Sequence, residues 1–484
     1  MKDKRFKAYF YLCISAFFLL LTATIYYSFG YNYNPQTGES FQAGAIVLRT
    51  TPRDATIYKN EEVVQNSGFL GGVFSPFIKI ENLRPQSYKI RVSKDGFNEW
   101  KKNVMIEYGQ VAKYENVVLL KNKYESAAVL LKNKNDSTVA PSDLALPTDG
   151  KVYVATNKNE LIFEGTVGAE SGLFLVSIRG EEYDLVLDKA QLSLIGEIQE
   201  IKWTEDDGRI VLRTADNMYL IDLRDAGRVY LISADVREAL LKTPDAPVYL
   251  FDHFIVFGEG SVIYSFDYIG KTIKQITTGV SNFYVYQGAL FFFRSDDTSI
   301  SPTLYSTNLD NPTYNLQISS MPEGYQRDAA FSLQRYDGKI LLLGGDNLYF
   351  IDRTAETRKI NSGVKDARFF SHGERILYYN NNEIWVYYIE NKTYEPIKSA
   401  GSNELLTRFS GALSNIYVYA DEEHLLYQEN NSFKFTELDD RDNRNTFYLM
   451  DNVSGQGIFY LGDQDLLYFR GSDNKIYKID LREA

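Results

Sequence analysis

Acid–base and metal chemistry in a protein falls mostly to histidine, cysteine and clustered carboxylates. This chain of 484 residues has three histidines and one cysteine. His253, His372 and His424 stand far apart, each beside a turn or at a strand edge. A zinc-type site needs several such ligands to converge, so the three read as turn or rim residues. Cys13 lies inside an apolar run, and being alone it excludes an intramolecular disulfide and an all-cysteine metal site. Ser295-Asp296-Asp297 and Asp439-Asp440-Arg441-Asp442 offer the hard oxygen ligands that Ca²⁺ prefers. The second cluster lacks the loop glycine and the distal bidentate glutamate of an EF-hand, and both read as solvated loops.

Nucleotide and acyl-transfer chemistry have no motif here either. No glycine-rich loop ending in Lys-Ser or Lys-Thr follows a strand. No G-x-S-x-G nucleophile elbow occurs, and the residues after Leu481 leave no room for an appended hydrolase domain. Tyrosine and phenylalanine are abundant, at 37 and 30 residues, and such rings stack well on sugar faces. They alternate along apolar runs, however, as cross-strand packing requires. The sequence therefore predicts no catalytic, cofactor-binding or metal-ligating residue and no cofactor, and it leaves partner-binding residues unassigned.

The elements that carry these residues begin with a membrane segment. Positions 8–30 hold no charged side chain and, as a helix, are long enough to cross a hydrocarbon core of about 30 Å. Tyr9 and Tyr11 flank one end, and Tyr26, Tyr27, Tyr31 and Tyr33 the other, as interfacial belts do. Lys2, Lys4, Arg5 and Lys7 precede the segment, which places the tail at 1–7 in the cytoplasm and the rest outside. A cleaved signal peptide is the competing reading, but its best cleavage match, Thr22-Ala23-Thr24, lies inside the apolar run. Cys13 follows Tyr11-Leu12, which does not suit a lipoprotein signal.

A polar spacer at 31–44 leads into short strands. Ala45-Ile46-Val47-Leu48-Arg49 runs to a bend at Pro52, then Thr56-Ile57-Tyr58 follows. Phe77-Ile78-Lys79-Ile80, the period-two run Tyr88-Lys89-Ile90-Arg91-Val92-Ser93, Val104-Met105-Ile106 and Val117-Val118-Leu119-Leu120 complete a small β-sandwich at 45–120. This unit resembles the PEGA domain, a β-sandwich of bacterial and archaeal surface proteins. Pro52-Arg53-Asp54-Ala55 stands where that family has its naming tetrad, and Pro76, Leu83, Pro85, Tyr88, Gly96-Phe97, Trp100 and Leu119 follow its later pattern. Gln86 replaces the glycine often found after the second proline. The resemblance implies an exported β module with no chemistry of its own.

A connector at 121–150, carrying Pro141, Pro147 and one expected strand from Ala127 to Leu131, precedes a repeat array at 151–484. Glu200-Ile201-Lys202-Trp203, Arg209-Ile210-Val211-Leu212-Arg213, Met218-Tyr219-Leu220-Ile221 and Val229-Tyr230-Leu231-Ile232-Ser233 form one unit of four strands. Second strands recur near 209, 254, 289, 339, 375, 415 and 457, the last as Gly457-Ile458-Phe459-Tyr460-Leu461. That period predicts a β-propeller of seven blades, with a less regular eighth at 151–194. Trp203-Thr204-Glu205-Asp206-Asp207-Gly208 resembles the Trp-Ser-Pro-Asp-Gly hairpin of Tol-type propellers, a structural likeness that carries no activity.

The fold expected is thus all-β after one transmembrane helix. A formal net charge of −12, with four basic residues confined to the tail, leaves an acidic body that repels nucleic acid. The expected function is that of a single-pass cell-envelope protein, not an enzyme. Its extracytoplasmic sandwich and propeller would serve as a binding or scaffolding module for an envelope protein or a cell-wall glycan. The alternative is a glycan-processing enzyme with carboxylates from several blades at the axial funnel.

Overall fold

The computed structural model describes residues 2–28, 30–34, 38–64, 77–138, 140–146, 152–155, 159–204, 207–224, 228–232, 248–312, 314–451, 453 and 459–482. Pro76, Pro147, Glu205, Asp206, Ser233, Gly457 and Ile458 lie outside these.

The first element, α1 (Lys2–Ser28), is the one helix among the described residues long and apolar enough to cross a membrane, by its segment Tyr9–Tyr26. Among the described residues no position of that segment is buried. Its two threonine hydroxyls are satisfied within the helix: Thr22 Oγ1 donates to Phe18 O at 2.8 Å and Thr24 Oγ1 to Leu20 O at 2.7 Å, as an apolar solvent demands. Gly30, at φ 76, turns the chain out of the helix. The expected spacer is a hairpin of Tyr31–Asn34 with Glu39–Gln42. Tyr31 stacks on Tyr26 with centroids 5.3 Å apart, and Asn32 Nδ2 donates to Asn82 Oδ1 at 2.8 Å. Helix, hairpin and the domain that follows are thereby joined by contacts as well as by chain.

That domain is a two-sheet sandwich. One sheet orders Ile78–Leu83, Gly44–Thr51 and Val111–Val118; the other orders Glu62–Val63, Thr56–Lys59, Ser87–Ser93 and Trp100–Met105. Period-two alternation sends Ile46, Leu48, Ile57, Tyr88, Ile90, Val92 and Trp100 into one shared core.

Eight further sheets form a ring. In chain order they span 130–188, 200–231, 248–278, 280–320, 331–361, 366–408, 413–450 and 459–480, and are blades one to eight here. Each neighbouring pair shares its own apolar cluster. Ile162 and Leu173 meet Ile201 and Ile210 between blades one and two. The sequence of clusters continues around to Phe459 and Tyr468, which meet Phe163 and Phe174 between blades eight and one. A β-sheet apolar on both faces must bury both, and closing the ring is what achieves this for every blade. Polar latches add direction near the axis. Gln334 Nε2 donates to Ala367 O at 3.0 Å, Trp203 Nε1 to Tyr153 O at 3.3 Å, and Asn282 and Arg368 reach the backbones of the next blades.

Several expectations need revision. The blade count is not among them: the less regular unit expected at 151–194 is present, which makes eight blades. The segment expected as a connector closes the ring: Ala127–Ala128 is the outermost strand of blade eight, and Leu130–Asn133 pairs in parallel with Glu182–Asp188 in blade one. In blades seven and eight the apolar runs expected as second strands are first strands. Leu413–Val418 and Phe459–Leu461 precede the true second strands, His424–Glu429 and Leu466–Arg470. His424 and Gln428 disguise the first of these, because both are buried polar residues. A second helix, α2 (Lys189–Ile195), follows blade one, started by a capping box between Asp188 and Gln191.

Candidate functional site

The sandwich sits on the rim of blades six and seven, and its edge strand Trp100–Met105 makes the contact. Alternation puts Trp100, Lys102 and Val104 on one face. Lys102 therefore occupies a core position, and its side chain is fully buried. Its ammonium has three donors and uses all of them: Glu437 Oε1 at 2.7 Å, Asn443 O at 2.7 Å and Asp439 O at 3.0 Å. Glu437 is saturated in turn. Oε2 accepts from Trp100 Nε1 at 2.9 Å, and Oε1 from Asn445 N at 2.6 Å and Asn445 Nδ2 at 2.9 Å. Asn445 also exchanges hydrogen bonds with the Lys101 backbone, both at 3.1 Å. Asp442 accepts from Asn103 N at 2.8 Å.

A second set of ties lies beside the first. The Arg441 guanidinium stacks over the Tyr114 ring, 3.9 Å from its centroid. It donates to Lys113 O at 2.7 Å and pairs with Asp439 and Glu395. Glu395 also accepts from Lys113 N at 3.0 Å.

Beneath this layer blades six and seven share buried charges. Glu423 bridges Arg375 at 3.1 Å and Lys392 at 3.0 Å and accepts from the Tyr394 hydroxyl at 3.2 Å. Burial holds the Lys392 ammonium below its ordinary value, although Glu423 opposes this. Burial, with the Glu423 charge, pushes the Tyr394 hydroxyl up to about 12. His424, 2% exposed, stacks on Phe435 and shares a 2.7 Å hydrogen bond between Nδ1 and Asp421 Oδ2. Burial alone would lower its imidazole; the charge and hydrogen bond of Asp421, with Glu437 and Glu423 beyond, outweigh that and raise it.

These residues surround a cavity of about 360 Å³. Trp100, Tyr114 and Val117 of the sandwich form one wall, and Tyr394, Pro396, Glu423 and His424 form the other. Such a volume falls at the lower end of the range for small-molecule sites.

The residues singled out in the sequence end in different places. His253 pairs with its neighbour Asp252 at 2.6 Å, and His372 is exposed in a tight turn at φ 52. His424 is no rim residue but lines the cavity. Asp297 accepts from Ser299 and Thr303 within its own loop. The Asp439–Asp442 cluster is engaged in the domain contact: Asp439 with Arg441, Asp440 with Lys398 at 2.6 Å, and Asp442 with Asn103. Among the described residues no three His, Cys, Asp or Glu side chains are grouped to hold a metal. Lys102 went unremarked in the sequence. Its signal was there, since Trp100-Lys101-Lys102-Asn103-Val104 places a lysine in phase with two core residues.

Fold and site together define a mostly-β protein built on a propeller, with one N-terminal apolar helix. No family profile matches the chain, and no curated protein is similar to it in sequence. Solved structures resemble it in shape only. The WD40 domain of SCAP from fission yeast is 11% identical, with 75% of this chain and 99% of that one covered at a TM-score of 0.42. A eukaryotic initiation factor is 9% identical over 74% and 92%, at 0.46. Dihydro-heme d1 dehydrogenase NirN is 11% identical over 62% and 66%, at 0.39. Likeness of this degree carries no activity across; the sheet order and the ring of inter-blade cores carry the fold.

Proposed function

We propose that this is a single-pass protein of the cell envelope, with its N-terminus in the cytoplasm and its body outside. In this reading α1 is the anchor, the sandwich is a PEGA-like module, and the propeller is a non-catalytic surface for an envelope protein or cell-wall glycan. The observation that carries the reading is the fully paired Lys102–Glu437 contact. It closes the joint between sandwich and propeller, and the hairpin closes the joint between sandwich and helix. A scaffold gains from such rigidity, because a bound partner is then held at a set attitude to the membrane. The test is capture from envelope extract, with the full chain in detergent as bait and mass spectrometry for protein and glycan as readout. Specific enrichment supports the reading. Bait that returns nothing beyond a heat-denatured control sinks it.

A further inference from the structure

We propose that the cavity between the sandwich and blades six and seven binds an uncharged saccharide residue, held by the His424 Nε2 edge and the Tyr114 hydroxyl. The inference rests on the scaffold reading and gives it a ligand class.

The first support is an imbalance of hydrogen bonding. His424 and Tyr114 are 2% and 4% exposed, and both line the cavity. His424 uses only Nδ1, on Asp421; among the described residues its Nε2 has no hydrogen-bond partner, and neither has the Tyr114 hydroxyl. Both residues line the cavity, and neither atom is among the solvent-sealed unpartnered polar atoms of the described residues. Polar atoms this deep are almost always partnered. Two such atoms on residues that line one cavity mark where a ligand's polar atoms would go.

The second support is charge. The carboxylates around the cavity are already engaged: Glu437 with Lys102, Glu423 with Arg375 and Lys392, Asp439 and Glu395 with Arg441, and Asp421 with the Nδ1 edge of His424. Each of these charged groups already has a partner in the protein, and burying an unpaired ion is costly. At the mouth, exposed Lys113 and Glu115 oppose each other in sign.

The third is the chemistry of the imidazole. With Nδ1 facing Asp421, Nε2 donates when the ring is protonated and accepts when it is neutral. A carboxylate or carbonyl matches only the first state, and an ammonium only the second. A hydroxyl matches both, and it matches the Tyr114 hydroxyl as well. Half-exposed Tyr394, with Val117 and Pro396, supplies the apolar walls that sugar C–H faces need.

The experiment is titration calorimetry on the full chain in a detergent without a sugar headgroup. The ligands are glucose, N-acetylglucosamine and their β-1,4 disaccharides, set against glucuronic acid, glucosamine and a neutral dipeptide amide. A neutral saccharide should bind best, at pH 6 and pH 8 alike. Tyr114→Phe, which keeps the ring under Arg441, should weaken it by about threefold to tenfold, the effect of one neutral hydrogen bond. No saccharide binding, preference for a charged sugar or the peptide, or an unchanged affinity in Tyr114→Phe each overturns the proposal. The ligand panel on the unaltered protein decides the matter even if the variant folds poorly. Envelope capture repeated with Tyr114→Phe separates the two readings: capture retained while sugars fail leaves the scaffold standing and removes the cavity from it.

Discussion

Replacing Lys102 with methionine keeps the length of the side chain and deletes its charge. The ammonium makes three hydrogen bonds of 2.7–3.0 Å in a place with no solvent access. Its loss leaves Glu437, whose side chain is 4% exposed, as a buried anion held only by Trp100 and Asn445. Removing one partner of such a pair costs about 3–5 kcal/mol, far above the roughly 0–1 kcal/mol of an exposed pair. The protein has a way to limit that cost, which is to lift the sandwich off the rim and rehydrate Glu437. The loss should therefore show as a separate, earlier unfolding step of the sandwich in urea, while the propeller step stays in place. Hydrogen exchange should rise in the sandwich, most at 100–105, and at 437–445, with the rest of the propeller unchanged. Adding Glu437→Leu should recover part of the loss but not all, because Trp100 Nε1 and the Asn445 N–H would then lack an acceptor. A shift below about 1 kcal/mol, with exchange unchanged at both segments, would refute the idea that this pair holds the contact.

Two further outcomes are expected. His424 sits above its ordinary value of 6.5 because Asp421, Glu437 and Glu423 face it, so its contribution is complete below 6.5 and is lost as pH rises through the folded value. Asp421 is held low by His424 against the effect of its own burial, so its share is lost only as pH falls through the acid range. Urea unfolding of the wild type and His424→Gln from pH 5 to 9 should converge toward the alkaline end, and a gap independent of pH would contradict this assignment. Gly172→Ala should destabilise blade one by about 1–3 kcal/mol, because the new methyl meets the Leu187 carbonyl and the Asp188 backbone beside a bulge at Leu173. A thermal midpoint equal to wild type would show that the bulge relaxes without cost.

Much of the architecture was legible because it rests on short-range periodicity. Runs such as Arg209-Ile210-Val211-Leu212-Arg213 and Leu290-Phe291-Phe292-Phe293 announce buried central strands wherever they fall. The error in the last two blades has the same root. His424 and Gln428 interrupt the apolar pattern of their strand, yet both are buried: Asn415 and two backbone carbonyls satisfy Gln428, and Asp421 holds the Nδ1 edge of His424. Hydropathy alone cannot distinguish a satisfied buried polar residue from an exposed one.

The chain's local composition by itself determined an apolar N-terminal helix, a small alternating-strand domain and a four-strand repeat. Each follows from side chains within a few residues of one another, through helical rise, pleat and turn chemistry. The tertiary structure alone decided what depends on distant partners. It set the count of eight blades, since the eighth is completed by strand 127–128 pairing with 476–480, which brings the two ends of the repeat array together. It turned Asp439-Asp440-Arg441-Asp442 from a solvated loop into the socket for an edge strand. It also buried Lys102 and His424, which only packing could do, because a charge enters the interior only where a particular opposite charge is already waiting.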